Sequence, residues 1–379
     1  MQLLHLFHAG VEHRPGTAAG LLKSWIDHGP EHGHDVVTVG PTALRLLATE
    51  GGLPVSASIG APRGLAEMAG ASIRRLIAER PVADAIVCWS PGTLRVTRVV
   101  ASHYPAVACL AHRPTLAEAR RLARSMQRRR SATVLVCFSP TVAEAAINGG
   151  VRNEGLYVVR PGVEASWCEA ADRTQLRAQW GVRDPSTPVA AALATPTLAA
   201  DAERAGLALA MACEAMGNPG SLRQSMRLLC HPMQQSRERA RRVLGGIDMP
   251  NLVVQDERSA TPWRTLAGCD LALVFGPHGD RLARAWSMAA GRPTIVAPRA
   301  GAMDDMRHEQ HGLVAKTHEP RDLAHRIKRV LEDRPAAAAL GERAAARAVQ
   351  RFDPAAMARR LDEIVHQRLH TPTPEAPRR

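Results

Sequence analysis

Residues 269–316 read CDLALVFGPHGDRLARAWSMAAGRPTIVAPRAGAMDDMRHEQHGLVAK, and this stretch decides the predicted fold. The apolar run 271–275 is too short for a helix and ends at a Gly-Pro pair, which favours a buried parallel strand. A second such run at 294–297 predicts the next strand, with a helix from 279 to 290 between them. A strand–helix–strand unit of this kind places a loop and a helix N-terminus at the carboxyl edge of a sheet, where doubly wound folds bind nucleotides and phosphates.

The two ends of this helix carry their own signals. Asp280 lies at the predicted N-terminus, where the helix dipole favours an acidic side chain. Gly291 fits a left-handed C-terminal cap, and Pro293 prevents the helix from continuing. After the second strand, a loop with Gly301 is predicted to lead into another helix that starts at 304–305.

The composition of the chain limits its class. Its 379 residues are enough for two domains with separate cores. The net charge of +13 comes almost wholly from arginine, and its even spread favours a compositional bias over a specific attraction to anions. The seven cysteines form no C-x-x-C pair, which predicts buried thiols in a reducing compartment and no zinc site. Without a signal-peptide pattern or a bilayer-length apolar segment, a cytoplasmic location is expected.

Strands and helices alternate in two series along the chain, which predicts an α/β protein with two doubly wound domains. The predicted divisions are a first domain at 1–165, a linker at 166–186, a second domain at 187–353, a C-terminal helix at 354–369 and a disordered tail at 370–379. Six strands are predicted in the first domain, at 3–7, 35–39, 85–88, 106–110, 133–138 and 156–159. The glycine-rich loop at 8–20 does not match the G-x-G-x-x-G fingerprint, which argues against NAD.

A basic helix is predicted at 116–130 in the first domain. Thr115 and Glu118 have the spacing of a capping box at its start. The helix carries six arginines, at 120, 121, 124, 128, 129 and 130. It is either a solvated basic helix or a surface that faces an anionic acceptor or the lipid headgroups of the inner membrane face.

Short motifs, in order along nearly the whole chain, resemble those of one enzyme family. Gly16 lies in a glycine loop after the first strand, and GHDV at 33–36 is similar to the family's G-H-E-V turn. RPGV at 160–163, MAAGRP at 288–293 and HGLV at 311–314 are similar to further family motifs. The chain thus resembles the family-4 retaining glycosyltransferases (glycosyl transferases group 1), which transfer sugars from nucleotide-sugar donors.

The resemblance implies a GT-B fold, in which two Rossmann-like domains face each other across a cleft. It also implies that the second domain binds a nucleotide-sugar donor as substrate. The first domain would bind the acceptor, which is a glycan, a lipid-linked molecule or a small molecule. No cofactor and no metal ion are expected.

Two positions depart from the family pattern. The family carries two glutamates eight positions apart around the start of the 279–290 helix, one beside the donor sugar and one that accepts hydrogen bonds from the ribose. Here these positions are His278 and Trp286, and the indole of Trp286 has only an N–H donor. The family's cations for the diphosphate fall on 194–195 and near Ala200, where the chain has no Arg or Lys.

Other residues are candidates for the missing roles. Arg281 and Arg299 lie near the helix start and the following loop, where guanidinium groups fit phosphate geometry, although both also fit as surface residues of an Arg-rich chain. His112 follows a strand where the family has a histidine, and it is the predicted catalytic residue, orienting the donor sugar; an ordinary loop histidine is the alternative. The predicted donor-binding residues are Gly16, His278, Gly279, Asp280, Arg281, Trp286, Arg299 and Gly301.

Two functions remain open at this point. The first is a divergent glycosyltransferase, in which positive groups and helix dipoles stabilise the leaving diphosphate. The second is a non-catalytic GT-B pseudoenzyme, a scaffold that binds a sugar, a nucleotide or a protein, and the substituted glutamates favour it. Nucleic-acid binding is not expected, because aromatic residues make up only 3% of the chain and it has no DNA-reading motif.

Overall fold

The structure of the protein, a computed structural model, shows two compact units. It describes residues 1–8, 15–30, 32–40, 52–61, 69–80, 83–101, 103–111, 114–127, 133–169, 172–193, 199–216, 227–231, 242, 245–246, 253–254, 262–274, 281–298 and 305–370. The first unit comprises Met1–Gly162 and Pro354–Arg379, and the second comprises Val163–Asp353. Each unit is built on one sheet of parallel strands.

The first unit contains a seven-stranded sheet in the order β3-β2-β1-β4-β5-β6-β7, with every pairing parallel. Its strands are β1 (Gln2–His8), β2 (Gly33–Val39), β3 (Val55–Ile59), β4 (Ala85–Cys88), β5 (Ala106–Leu110), β6 (Thr133–Cys137) and β7 (Leu156–Val158). The helices between them are α1 (Pro15–His28), α2 (Gly70–Ala78), α3 (Pro91–Val100), α4 (Leu116–Gln127) and α5 (Pro140–Asn148). The central strands β4 and β5 are buried at every residue, as expected for parallel strands covered on both faces.

Side-chain caps fix where the helices of this unit begin. At α3, Ser90 and Thr93 form a capping box, each side chain bonded to the other residue's backbone N–H. The capping box predicted for α4 is confirmed. The Glu118 N–H donates to Thr115 Oγ1 at 3.2 Å, and the Thr115 N–H donates to Glu118 Oε2 at 2.9 Å.

The second unit contains a six-stranded sheet in the order β10-β9-β8-β11-β12-β13, again with every pairing parallel. It begins with the short helices α6 (Ser166–Glu169) and α7 (Arg173–Gln179). Its strands are β8 (Val189–Leu193), β9 (Arg227–His231), β10 (Val253–Val254), β11 (Leu271–Val274), β12 (Thr294–Val296) and β13 (Leu313–Val314). The other helices are α8 (Ala199–Ala215), α9 (Pro262–Gly268), α10 (Arg281–Ala289), α11 (Pro320–Glu332) and α12 (Arg334–Arg351).

Two predictions for the first unit need correction. The sheet has a seventh strand, β3, which lies at the sheet edge and alternates between partly buried and exposed residues, so no apolar run marks it. The glycine-rich loop was predicted to extend to residue 20, but α1 begins at Pro15. Gly16 therefore lies in the first turn of α1. Proline is common at the first position of a helix, which agrees with a start at Pro15.

One prediction for the second unit is also wrong, and one strand was not predicted. No helix starts at Asp305, which lies in a bend instead. Residues 313–314 form the edge strand β13, which pairs with β12. Gly312 precedes this strand, and a Cβ there would lie 2.6 Å from the carbonyl oxygen of Thr294. The glycine of the HGLV motif thus lies where the backbone of Thr294 leaves no room for a side chain.

The chain returns to the first unit at its C-terminal helix. Helix α13 (Pro354–His370) belongs to the first unit, where the indole of Trp25 on α1 donates to Asp362 at 3.0 Å. The predicted linker at 166–186 forms α6, α7 and the turn before β8, all within the second unit. The predicted disordered tail, apart from His370, lies outside the described residues.

The cysteines of the described segments behave as buried apolar residues. The prediction of buried cysteines outside a disulfide frame is confirmed for Cys88, Cys109, Cys137, Cys168, Cys213 and Cys269. Burial raises the pKa of the Cys137 thiol to about 12, so this group stays protonated at neutral pH. In the same segments, no helix combines the length and the apolar character needed to cross a membrane.

Candidate functional site

The candidate site is the edge of the second sheet where β11 ends and α10 begins. Strand β11 pairs with β8 on one side and with β12 on the other. The predicted strand–helix–strand unit is confirmed. Gly291 follows the end of α10 with a left-handed backbone conformation (φ +62°). The amino end of α10 therefore lies at the carboxyl edge of a doubly wound sheet, the position at which such folds bind ligands.

Helix α10 is held inside the second unit along its whole length. Every residue from Arg281 to Ala289 is buried. Helix α12 reaches the backbone at the far end of α10, because a Cβ on Gly341 would lie 2.2 Å from the carbonyl oxygen of Gly291. This close approach fixes the axial position of α10, and with it the position of its amino end.

At this edge the buried carboxylate of Asp305 forms ion pairs with three arginines. Arg281 donates to it through both Nε and Nη2, at 2.7 and 2.8 Å. The guanidinium groups of Arg284 and Arg351 each approach it to 3.7 Å. Burial alone would raise the pKa of Asp305, but the hydrogen bonds and charge of Arg281, together with the other two arginines, hold this pKa below its ordinary value. The carboxylate is therefore ionised at neutral pH and orders three arginines around it.

This arrangement changes how Arg281 is understood. Arg281 was predicted to reach a diphosphate, and the structure places its guanidinium on Asp305. Both side chains are almost fully buried, at 8% and 0% exposure. Binding of a phosphate by Arg281 stays a prediction; it would use the remaining N–H of the fork or an exchange of partners. Sequence reasoning missed Asp305 as a site residue, because the helix start predicted there already accounted for an acidic residue.

Trp286 lies in a cluster of three tryptophans on three different helices. Its ring centroid is 4.7 Å from that of Trp263 on α9 and 5.5 Å from that of Trp167 on α6. Trp286 is fully buried. Its indole N–H is also buried and has no hydrogen-bond partner within the described part of the chain. Trp286 is thus an aromatic core residue whose one donor is unused within the described ranges.

The structure brings two of the predicted site residues together. Arg281 and Trp286 lie on the same helix, α10, and Gly16 lies on α1 of the first unit. The other predicted residues lie outside the described residues: His112, His278, Gly279, Asp280, Arg299 and Gly301. No group of three metal-ligating side chains occurs within the described ranges.

A separate group of titratable side chains lies in the core of the first unit. The indole N–H of Trp89 donates to His5 Nδ1 at 3.3 Å, so the proton of the neutral His5 ring is on Nε2. From there His5 donates to His34 Nδ1 at 2.9 Å. A second proton on His5 would face the indole N–H of Trp89, and a second proton on His34 Nδ1 would face the N–H of His5. Both rings are therefore favoured in their neutral form. Burial, followed by the neighbouring histidine, lowers the pKa of His5, and burial lowers that of His34 to about 4.

This chain of rings predicts a loss of stability in mild acid. The pKa of His34 in the folded state is about 4, below its ordinary value of 6.5. As the pH falls through 6.5, the unfolded state therefore takes up protons that the folded state does not. The stability due to the neutral rings is complete above pH 6.5, decreases below it and is lost as the pH approaches 4. Urea unfolding at several pH values between 7.5 and about 5 measures this slope.

Two variants serve as the test and its control. His34→Gln is expected to reduce the slope, because an amide does not titrate. His325→Gln, on the exposed face of α11, is expected to leave it unchanged. An equal slope in wild type and His34→Gln would contradict the assignment. The pH range stops near 5 because burial raises the pKa of Asp362, a neighbour of His32 and His366, and this carboxyl contributes the opposite slope at lower pH.

Comparisons with known proteins agree with this fold. The sequence profile of glycosyl transferases group 1 matches residues 287–347, which run from α10 into α12. No curated protein matches the chain in a sequence search. HepE of Anabaena, solved with UDP and glucose, is similar in structure with a TM-score of 0.75 and 21% identity, over 97% of this chain and 99% of that one.

Two further solved structures cover the chain to the same extent. A glycosyltransferase from Rickettsia africae ESF-5 has a TM-score of 0.67 and 12% identity, over 98% of this chain and 99% of that one. Sucrose-phosphate synthase from Thermosynechococcus elongatus has a TM-score of 0.66 and 14% identity, over 97% and 99%. The fold is therefore GT-B, with two Rossmann-like units, and the predicted resemblance to group 1 glycosyl transferases is confirmed.

Proposed function

We propose that the protein is a retaining glycosyltransferase that transfers a sugar from a nucleotide-sugar donor to a glycan, lipid-linked or small-molecule acceptor. The observation that carries the proposal is the position of the group 1 match. Its residues, 287–347, comprise the end of α10, then β12, β13, α11 and most of α12, and they include Asp305, which pairs with Arg281 at the amino end of α10. HepE of Anabaena, which shares the fold, was solved with UDP-glucose, so UDP-sugars are the first donors to test.

The charged groups at this edge suit a diphosphate leaving group. Transfer with retention needs stabilisation of the departing phosphate more than a protein nucleophile. Asp305 holds Arg281, Arg284 and Arg351 in place, next to the positive end of the α10 dipole. Such preorganised positive groups stabilise developing negative charge without having to rearrange during the reaction. In this proposal His112 orients the donor sugar, and the backbone at 278–280 and 301 surrounds the phosphates.

The acceptor in this proposal is anionic or is presented at an anionic surface. On the described part of the basic helix, Arg120, Arg121 and Arg124 are exposed, while Leu122 and Ala123 face the core. Exposed arginines on one face attract phosphate-bearing molecules and the headgroups of an acidic membrane.

A second candidate function has one specific observation in its favour. Trp286 fills, with Trp167 and Trp263, the place of the residue that accepts hydrogen bonds from the donor ribose in the family. An indole cannot make those bonds. A GT-B scaffold that binds a sugar nucleotide or a protein without turnover is the alternative.

Ligand-induced stabilisation of the full chain separates the two functions. Thermal unfolding is measured with UDP-, GDP- and ADP-sugars, with free glucose as the control. A donor at about one hundred times its dissociation constant is expected to stabilise the protein by about 2.7 kcal/mol. EDTA is expected to leave this effect unchanged, because no metal is proposed.

Product analysis then decides between turnover and binding. With anionic-lipid vesicles and soluble glycans as acceptors, the transferase is expected to consume the donor that stabilises it. Stabilisation without sugar transfer or donor hydrolysis would support the scaffold. If none of the donors raises the unfolding temperature, the proposed nucleotide-sugar site does not exist.

A further inference from the structure

The second unit has a cavity of about 310 Å³ at the edge of its sheet opposite to the amino end of α10. Three residues of its lining, Pro188, Asp270 and Pro293, each lie directly before a strand, namely β8, β11 and β12. The cavity therefore opens at the amino ends of these strands, whereas the candidate donor site lies at their carboxyl ends. Its volume falls in the range of small-molecule sites, which begins near 300 Å³.

One carboxylate in the lining is already saturated by protein groups. Asp270 accepts from Arg173 at 2.6 Å and from Arg177 at 3.2 Å. It also accepts from the backbone N–H of Val189 at 2.7 Å. Asp270 is therefore committed to holding α7 against the start of β8.

Two other arginines of the lining have no carboxylate partner among the described residues. Arg292 donates to the backbone oxygens of Leu266 and Ala267, both at 3.1 Å. Arg334, at the start of α12, donates to the backbone oxygen of Ser186 at 3.1 Å. These contacts orient both guanidinium groups and, within the described part of the chain, use neither of the two Nη1 groups.

Two arginines of the cavity lining, Arg292 and Arg173, repel each other. The pKa of Arg292 lies below its ordinary value, first because of burial and then because of the charge of Arg173. The exposed carboxylate of Glu342 also lines the cavity. Three arginines thus face two carboxylates, one of which is shared with Arg177 outside the lining. An anion beside Arg292 would offset the repulsion from Arg173.

We propose that this cavity binds a small phosphorylated organic anion, with its phosphoryl group between Arg292 and Arg334 and its carbon skeleton against Val330 and Leu331. The planar, fixed donor groups of arginine match the oxygens of a phosphoryl group, and the two aliphatic side chains form an apolar wall beside them. The site is separate from the proposed donor site and does not depend on glycosyl transfer.

Calorimetric titration of the full chain at low ionic strength tests the proposal, with glucose 6-phosphate, inorganic phosphate and glucose as probes. Glucose 6-phosphate is expected to bind, and glucose is not. Arg334→Gln is expected to weaken the binding about tenfold or more, because it removes a hydrogen bond to a charged group. Arg334 is exposed, so this variant is expected to keep the fold. Arg321→Gln, an exposed arginine near the start of α11, is the matched control and should bind like the wild type.

The outcomes separate the cavity from other cationic surfaces. Equal binding of inorganic phosphate and glucose 6-phosphate would support recognition of the phosphoryl group alone, and tighter binding of the sugar phosphate would support the role of the apolar wall. Absence of binding for both phosphates would overturn the proposal. Binding that Arg334→Gln leaves unchanged, or that both variants weaken equally, would also overturn it, because the anion would then bind elsewhere.

Discussion

Asp305→Asn is expected to destabilise the second unit by about 3–5 kcal/mol, the usual cost of removing one partner from a buried ion pair. The variant keeps the size of the side chain but removes the charge that Arg281 contacts at 2.7 and 2.8 Å. It also leaves the positive charges of Arg284 and Arg351 beside a neutral amide. Urea unfolding followed by circular dichroism measures the loss as a lower midpoint at an unchanged slope.

A control and a rescue make this result specific. Glu332→Gln breaks a partly exposed ion pair with Lys328 in the same unit and is expected to have little effect. The double variant Arg281→Met with Asp305→Leu replaces the pair by apolar side chains and is expected to recover much of the stability. An unchanged midpoint for Asp305→Asn would show that the carboxylate is not ionised in the folded protein.

Trp286→Ala is expected to cost about 3–5 kcal/mol, the range for removing a large aromatic side chain from a core. The indole is fully buried and packs between Trp167 and Trp263, so its removal leaves a cavity that the two remaining rings cannot fill. The measurement is again urea unfolding. Val349→Ala, which shortens an exposed apolar side chain of α12, is the control and is expected to have a small effect.

Trp286→Glu extends this test to function. The variant introduces the glutamate that the family resemblance implies at this position, and it places a carboxylate in a buried position against two indole rings. It is therefore expected to be at least as unstable as Trp286→Ala and not to gain donor binding. A stable Trp286→Glu protein with tighter donor binding would show that this position is open to the ligand, contrary to its burial in the structure.

The local signals of the sequence were sufficient for most of the second sheet. The β11–α10–β12 unit follows from two apolar runs, a helix between them and the left-handed Gly291. Parallel strands that are covered on both faces appear in the sequence as continuous apolar runs, which makes them easy to recognise. Strand β3 was missed because it lies at the sheet edge and has polar residues. Strand β13 was missed because it has only two residues.

The site itself depends on partners that are distant in the sequence. Asp305 contacts Arg281, which lies 24 positions earlier, and Arg351, on another helix. Periodicity and capping rules report on neighbours within a few residues, so an acidic residue after a loop was assigned to the nearest local role, a helix start. The substitution at Trp286 was visible in the sequence, but its two tryptophan partners come from helices that only the fold brings together.

The return of the chain in α13 has a consequence for the order in which the protein is made. The second unit begins and ends at one place, where the Val163 N–H donates to the Phe352 carbonyl oxygen at 3.0 Å. During synthesis the ribosome therefore completes the whole second unit before it makes α13, the last helix of the first unit. Until then Trp25 lacks Asp362, its hydrogen-bond acceptor in the finished core. The half of the protein that is synthesised first is thus the last to be completed, and during that interval its unfinished surface is the one that chaperones would meet.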